Sequence, residues 1–144
     1  MEDVLYDIYK PFIEGSLLDD LYDNTLFTAI TLTIVLGTLF ICGLFYKNPL
    51  AFRTWFYKFK HWLLTMFVSG FLFGFLVAVI TCFQKAGDQV MRNEKDPVQG
   101  TYFDQGSASF ILLGVEFFVV SCILFFIFSL PLRYVSIIAR KTPF

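Results

Sequence analysis

Glu116 is the one charged residue within the three long apolar runs of this sequence. A carboxylate inside a membrane is costly, so such acids pair with another group, face a cavity or carry protons. Desolvation also favours the neutral, protonated form of the acid. Three roles are therefore open for Glu116. It can be a structural hydrogen-bonding or ion-pairing group, a proton or ion relay, or a contact to a lipid or small ligand.

Candidate partners for Glu116 follow from its depth, which is roughly 12 Å from the start of its run at 1.5 Å per residue. Four threonines are expected near that depth and are possible hydrogen-bond partners: Thr28, Thr31, Thr33 and Thr81. Lys85 is a basic residue that could reach inward from the rim. A threonine hydroxyl can instead bond to the carbonyl four residues earlier, so the sequence leaves both arrangements open.

One histidine and three cysteines are the other residues that could do chemistry. His61 has no second ligand at a matching depth, which argues against a haem site. Cys42, Cys82 and Cys122 belong to three different runs and match no CxxC or zinc spacing. No nucleotide-binding, hydrolase or metalloprotease motif occurs. We therefore expect no enzymatic activity, no metal and no cofactor, with bound lipids as the only small molecules.

The apolar runs predict an all-α integral membrane protein with three transmembrane helices, because about 20 apolar residues cross the hydrocarbon core. We expect a single membrane domain over residues 1–144. Its predicted segments are an acidic interfacial tail at 1–24, transmembrane helices at 26–46, 62–83 and 108–131, an external loop at 84–107 and a basic tail at 132–144. The second helix is expected to begin near residue 49, because Asn48-Pro49 is a favourable helix start.

Residues 1–24 carry apolar side chains at helical spacing, with acidic residues between them. This pattern predicts an amphipathic segment that lies on the membrane surface or on a partner. Surface helices that bind anionic lipid are usually basic. Because this segment is acidic, we expect a protein partner rather than lipid headgroups.

An aromatic and basic cluster precedes the second run. It predicts interfacial anchors, with rings at headgroup level and cations on lipid phosphates. The predicted anchors are Arg53, Trp55, Lys58, Lys60, His61 and Trp62. Interleaved basic and aromatic residues can also bind nucleic acid, but beside a membrane helix the anchoring role is favoured, and no nucleic-acid partner is expected.

Small residues four apart in the second run, at Gly70, Gly74 and Ala78, predict a helix-packing ridge. Such ridges let two backbones approach closely. The sequence does not decide whether the ridge packs within this chain or against another chain.

The distribution of basic residues predicts the orientation. With three crossings, the first connection and the C-terminal tail share a side that holds seven Lys and Arg, whereas the other side holds four. Basic residues stay on the cytoplasmic or matrix side. We therefore expect the N-terminus outside and the C-terminus inside, in a bacterial or a mitochondrial inner membrane.

The soluble segments are too small for a domain of their own, which favours a non-catalytic accessory subunit of a larger membrane complex. Its partners would be other membrane subunits and lipids. One alternative is a self-assembling, homo-oligomeric pore, because three spans with an external N-terminus resemble in topology the three-span class of phage holins. The threonines of the first run would line such a pore. The other alternative is a proton- or ion-handling subunit centred on Glu116.

Overall fold

The computed structural model describes residues 2–13, 15–47, 59–87, 100–101, 103–104 and 106–135. These residues form five α-helices: α1 (Glu2–Tyr9), α2 (Gly15–Asp23), α3 (Leu26–Lys47), α4 (Phe59–Gly87) and α5 (Ser107–Val135). The prediction of an all-helical fold is confirmed over the described residues. The predicted helix start near residue 49, most of the external loop and the last part of the basic tail lie outside the described residues.

Three of these helices, α3, α4 and α5, are long and apolar enough to cross a membrane. Each contains one of the predicted spans. Helix α5 continues through Pro131, near which the third span was predicted to end, and stops at Val135. A proline in a helix removes one backbone hydrogen bond and crowds the preceding turn. The helix accommodates that loss because Pro131 is exposed and lies close to the helix end.

Helix α5 is the centre of the bundle and packs against both α3 and α4, which touch each other much less. It runs parallel to α3, because Thr38 contacts Ser121 and, one turn further on, Cys42 contacts the carbonyl of Phe125. It runs antiparallel to α4. The first and third apolar helices therefore start at the same end of the bundle.

Helices α1 and α2 fold back on each other, and we refer to residues 2–23 as the hairpin. The Tyr6 hydroxyl donates to Asp19 Oδ1 over 2.9 Å, and the Tyr22 hydroxyl donates to Asp3 Oδ1 over 2.5 Å. The two tyrosine rings meet edge to face, with centroids 5.3 Å apart. The hydrogen bond to the Asp19 carboxylate raises the pKa of Tyr6, and the bond to Asp3 raises the pKa of Tyr22 in the same way.

The hairpin buries one apolar face against the chain's own helices. Leu17, Leu18 and Leu21 are completely covered, and they join a core that includes Phe27 of α3 and Leu113 of α5. The sequence interpretation placed this face on the membrane surface or on another protein. The leucines of α2 pack inward instead, whereas Val4, Ile8 and Phe12 of the same predicted face remain exposed.

The bundle has two separate cores, one at each end. The hairpin end is where α3 and α5 begin, and its core is built from all five helices together with Phe103. The aromatic end is where α4 begins, and its core consists of Cys42, Phe45, Tyr46, Trp62 and Phe125. The hairpin therefore contributes to only one end of the bundle.

Candidate functional site

Glu116 lies on α5 at the hairpin end of the bundle. The parallel register of α3 and α5, fixed by the contacts of Thr38 with Ser121 and of Cys42 with Phe125, places Glu116 level with Thr33. That level is roughly 10 Å from the start of α3 at 1.5 Å per residue. The side chain is partly exposed, so it faces the periphery of the bundle rather than its axis.

The threonines predicted to meet Glu116 bond elsewhere. Thr31 Oγ1 lies 3.1 Å from the Tyr9 hydroxyl, and Thr33 Oγ1 donates to the carbonyl of Ala29. Thr81 Oγ1 donates to the carbonyl of Val77. At Thr28 the backbone N–H donates to Glu2 Oε1. The described hydroxyl contacts of Thr31, Thr33 and Thr81 are thus made to the hairpin and to local backbone carbonyls.

The Glu116 carboxyl consequently has an unmet hydrogen-bonding capacity. Its Oε2 atom is shielded from the surroundings and has no hydrogen-bond partner among the described residues. A buried polar atom without a partner costs about 1–3 kcal/mol. This cost points to a partner outside the described residues, in this chain or in another, or to protonation of the carboxyl. The side chain of Lys85, which the sequence also offers as a partner, lies outside the described residues.

A groove of about 370 Å³ runs between the hairpin and α5, and Glu116 lines it. We call it the hairpin groove. Ile8 and Phe12 form one wall, and Val119 and Ile123 form the other. All four of these apolar side chains are exposed, and Glu116 is the charged residue in the lining of this otherwise apolar groove.

Tyr9 fixes the level of the hairpin relative to α5. Its ring stacks on Phe27 of α3 at 5.4 Å and meets Phe117 of α5 at 5.3 Å between centroids. Burial raises the pKa of Tyr9, and the contact with Thr31 partly offsets that rise. These contacts hold the end of α1 beside the residue that follows Glu116.

Two acids far apart in sequence fasten the hairpin. Glu2 accepts the backbone N–H of Thr28 over 3.0 Å and so caps the start of α3, where a negative charge is favoured by the helix dipole. The fully buried Asp20 accepts the N–H of Phe103 over 2.8 Å. Phe103 has a positive φ of 54°, a conformation that a non-glycine residue holds only when the surrounding structure requires it. Sequence reasoning missed both acids.

The predicted ridge lies within the chain. A side chain at Gly70 would come 2.7 Å from Cys122 Sγ, and one at Gly74 would overlap the carbonyl oxygen of Gly114. Ala78 lies next to Gly114 in the same contact. The small residues of α4 therefore permit a close antiparallel approach to α5.

A second groove of about 230 Å³ opens beside that contact, and we call it the phenylalanine groove. Gly74 and Ala78 form its floor, and Phe71, Phe75 and Phe118 form its walls. The rings of Phe71 and Phe75 stack with centroids 6.1 Å apart. This groove has no charged side chain in its lining, in contrast to the hairpin groove.

The predicted anchors divide into two groups. Trp62 is only 5% exposed and packs against Phe125, with ring centroids 6.0 Å apart, so its ring belongs to the aromatic-end core rather than to the surface. Lys60 is exposed and His61 is partly exposed. The other predicted anchors, Arg53, Trp55 and Lys58, lie outside the described residues.

No group of three or more His, Cys, Asp and Glu side chains suited to a metal ion occurs in the described part of the chain. Cys42, Cys82 and Cys122 are free thiols. Comparison with models of protein families, with curated proteins and with solved structures finds no match to this chain.

Proposed function

We propose that this protein is an integral membrane, non-catalytic subunit that receives a span of another membrane protein in the phenylalanine groove. The observation that carries the proposal is the groove itself, whose lining combines small residues with large apolar side chains. Helices associate in membranes by close packing on small residues. A partner helix seated there would lie between the rings of Phe71 and Phe75 on α4 and a mixed aliphatic and aromatic face of α5.

The exposure of the walls supports this assignment. Phe71 is 68% exposed and Phe75 is 60% exposed. Both rings lie on one face of α4, one turn apart, and therefore present a continuous aromatic edge. Phenylalanine is enriched where protein surfaces associate. An accessory subunit needs such a surface, whereas it needs no polar site of its own.

We propose the orientation predicted from the charges. Of the basic residues in the described part of the chain, Lys47, Lys60 and Arg133 belong to the aromatic end, by their positions at the ends of α3 and α5 and the start of α4, whereas Lys10 and Lys85 belong to the hairpin end. The hairpin end carries acids, among them Asp3 and Asp19. The positive-inside rule then puts the aromatic end on the cytoplasmic or matrix side.

Two alternatives make different demands on the chain. A self-assembling pore needs a polar helix face, but the hydroxyls of Thr31, Thr33 and Thr38 already bond to Tyr9, Ala29 and Ser121. A proton- or ion-handling role needs a titrating Glu116. One measurement separates the pore from the relay: proton flux into vesicles is compared for the wild type and for Glu116→Gln. This variant keeps the size of the side chain but cannot titrate, so only a relay should lose flux.

The proposal is tested by extracting the protein from its native membrane in mild detergent and measuring the mass and composition of the complex. We expect a heteromeric complex of fixed stoichiometry. The double variant Phe71→Ala, Phe75→Ala should release the partner. The matched control, Leu36→Ala with Phe40→Ala, changes an equally exposed pair one turn apart on α3 and should leave the complex intact.

Two results would contradict the accessory role. One is a large assembly that contains this chain alone and conducts ions in vesicles, which supports the pore. The other is loss of proton flux in Glu116→Gln while the complex stays assembled, which supports the relay.

A further inference from the structure

The hairpin groove combines a shape and a charge that the proposed partner of the phenylalanine groove does not explain. Its walls are apolar, yet the charged residue Glu116 belongs to its lining, and the enclosed Oε2 atom of Glu116 has no hydrogen-bond partner among the described residues. An acyl chain would fill the apolar part but would donate nothing to the carboxyl. The occupant that fits both features brings an apolar side chain together with a cation or another hydrogen-bond donor.

This chain carries such a pair in the segment that follows α1. Lys10 and Phe12 lie in that segment, and both are exposed, with Phe12 at 64%. Phe12 lines the groove, as does Tyr9, the residue before Lys10. The segment that contributes to one wall of the groove therefore also carries an exposed base and an exposed ring.

Lys10 and Glu116 also lie at the same level of the bundle. Tyr9 contacts Phe117 with ring centroids 5.3 Å apart. Lys10 is the next residue after Tyr9, and Glu116 is the residue just before Phe117. In a dimer whose two-fold axis runs along the membrane normal, equivalent residues of the two copies lie at the same depth. Two different residues can therefore meet across the axis only when both lie at one depth.

We propose that a second copy of this chain occupies the hairpin groove, so that each Lys10 pairs with the partner's Glu116. The contact is isologous, meaning that the same patch serves both subunits and every pairing occurs twice. Phe12 of each copy enters the groove of the other. The pairing supplies the Glu116 carboxyl with a charged donor, which is the way intramembrane acids are usually compensated.

The dimer does not require the accessory role, although the two grooves are neighbours and Val115 lines both. Its surface consists of the hairpin and one face of α5, whereas the phenylalanine groove is formed by α4 and the adjoining face of α5. A heteromeric complex could therefore contain two copies of this chain. Failure of one proposal leaves the other standing, because the two are read out by different variants.

Charge exchange tests the dimer. Two differently tagged forms are produced singly and together, purified in mild detergent, and their masses are measured. We expect a dimer for the wild type and monomers for Glu116→Lys alone and Lys10→Glu alone, because each variant sets like charges against each other. Each change should weaken the dimer at least about tenfold, as expected for breaking a desolvated interfacial ion pair.

Co-expression of the two variants is the decisive arm. When a Glu116→Lys chain meets a Lys10→Glu chain, both pairs between residues 10 and 116 of the two chains join opposite charges. Together the two variants should therefore form a heterodimer, although neither forms a homodimer. A contact between Lys10 and Glu116 within one chain cannot give that result. A wild type that is monomeric, single variants that stay dimeric, or a mixture that stays monomeric would each overturn the proposal.

Matched controls separate pairing from misfolding. Lys47→Glu makes the same charge change as Lys10→Glu at the far end of α3 and should leave the dimer intact. Phe12→Ala should weaken the dimer, whereas Phe40→Ala, at a similarly exposed ring on α3, should not. Lys10 is exposed, so its substitution tests the contact even if Glu116→Lys alters the fold.

Discussion

The two ends of the bundle are held together by different means. At the aromatic end, α3, α4 and α5 close on one another through rings, with Trp62 and Phe45 both packed around Phe125. At the hairpin end, the helices are joined through an added element that is fastened by Glu2 and Asp20. Among the described residues, the core of the aromatic end is therefore formed by the three long helices, whereas the core of the hairpin end also includes the hairpin.

The two ends also differ in what their polar side chains contact. Towards the aromatic end, polar groups join one helix to another: Thr38 contacts Ser121, and Cys42 contacts the carbonyl of Phe125. At the hairpin end, Glu116 belongs to the lining of a groove, and Lys10 is exposed on the hairpin.

The largest loss of stability is expected at the close contact between α4 and α5, because these two helices run through both ends of the bundle. Gly74→Leu would drive a side chain into the carbonyl of Gly114, so α4 and α5 would have to separate. We expect the free energy of unfolding to fall by about 4 kcal/mol or more. Leu72→Ile, on the exposed face of the same helix, is the control. Equal unfolding curves for the two variants in a denaturing detergent titration would contradict the packing.

A change confined to the aromatic end comes next. Phe125→Ala removes a fully buried ring that packs against both Phe45 and Trp62, and such truncations cost about 3–5 kcal/mol. Hydrogen exchange should accelerate around Cys42 and Trp62 while α1 and α2 keep their protection. Acceleration that spreads equally to α2 would mean that the two ends are not independent.

The converse change at the hairpin end should be smaller. Asp20→Ala removes the acceptor of the buried Phe103 N–H, and an unpaired buried donor costs about 1–3 kcal/mol. Exchange should accelerate in α2 and at Phe103 but not at Phe125. Asp23→Ala, at an exposed acid on the same helix, should have no such effect; if the two variants behave alike, the buried contact is not what holds the hairpin.

The smallest expected effect is a pH dependence of the hairpin. The pKa of Tyr6 is raised above its usual value of 10.0, chiefly by its hydrogen bond to Asp19. A raised pKa means that this bond stabilises the fold fully below pH 10 and that the contribution is lost as the pH rises through the folded pKa. The tyrosinate absorbance that is present in the wild type and missing in Tyr6→Phe should appear with a midpoint above pH 10. Asp19→Asn should lower the pH of that midpoint. A difference that titrates at or below pH 10 would contradict the contact.

The sequence predicts the three long helices well, because each span is a continuous apolar run whose length alone identifies it. It also identifies the small residues at Gly70 and Gly74, since their spacing matches one turn of a helix. It could not say that their contact is Gly114 in the same chain, because small-residue spacing gives a face and not a partner.

The hairpin is where sequence reasoning failed, and the reason is the distance between its contacts. Asp20 meets Phe103, and Glu2 meets Thr28; both pairs join segments that no local pattern relates. The amphipathic spacing of residues 1–24 correctly indicates an apolar face but is the same whether that face meets lipid, a partner or the chain itself. For Trp62, the neighbouring basic residues predict a ring at the membrane interface. The ring packs inward instead, because Trp62 lies on the side of α4 that faces the bundle.

The central claim is that the hairpin is an integral part of one end of the bundle. Hydrogen exchange of the wild-type protein in lipid nanodiscs tests it most directly, because no substitution is needed. The contacts of Leu18, Asp20 and Leu21 predict that the amides of α2 exchange at least about a hundredfold more slowly than those of an unstructured peptide. Exchange of α2 at the rate of a free peptide, while α3 and α5 stay protected, would contradict it.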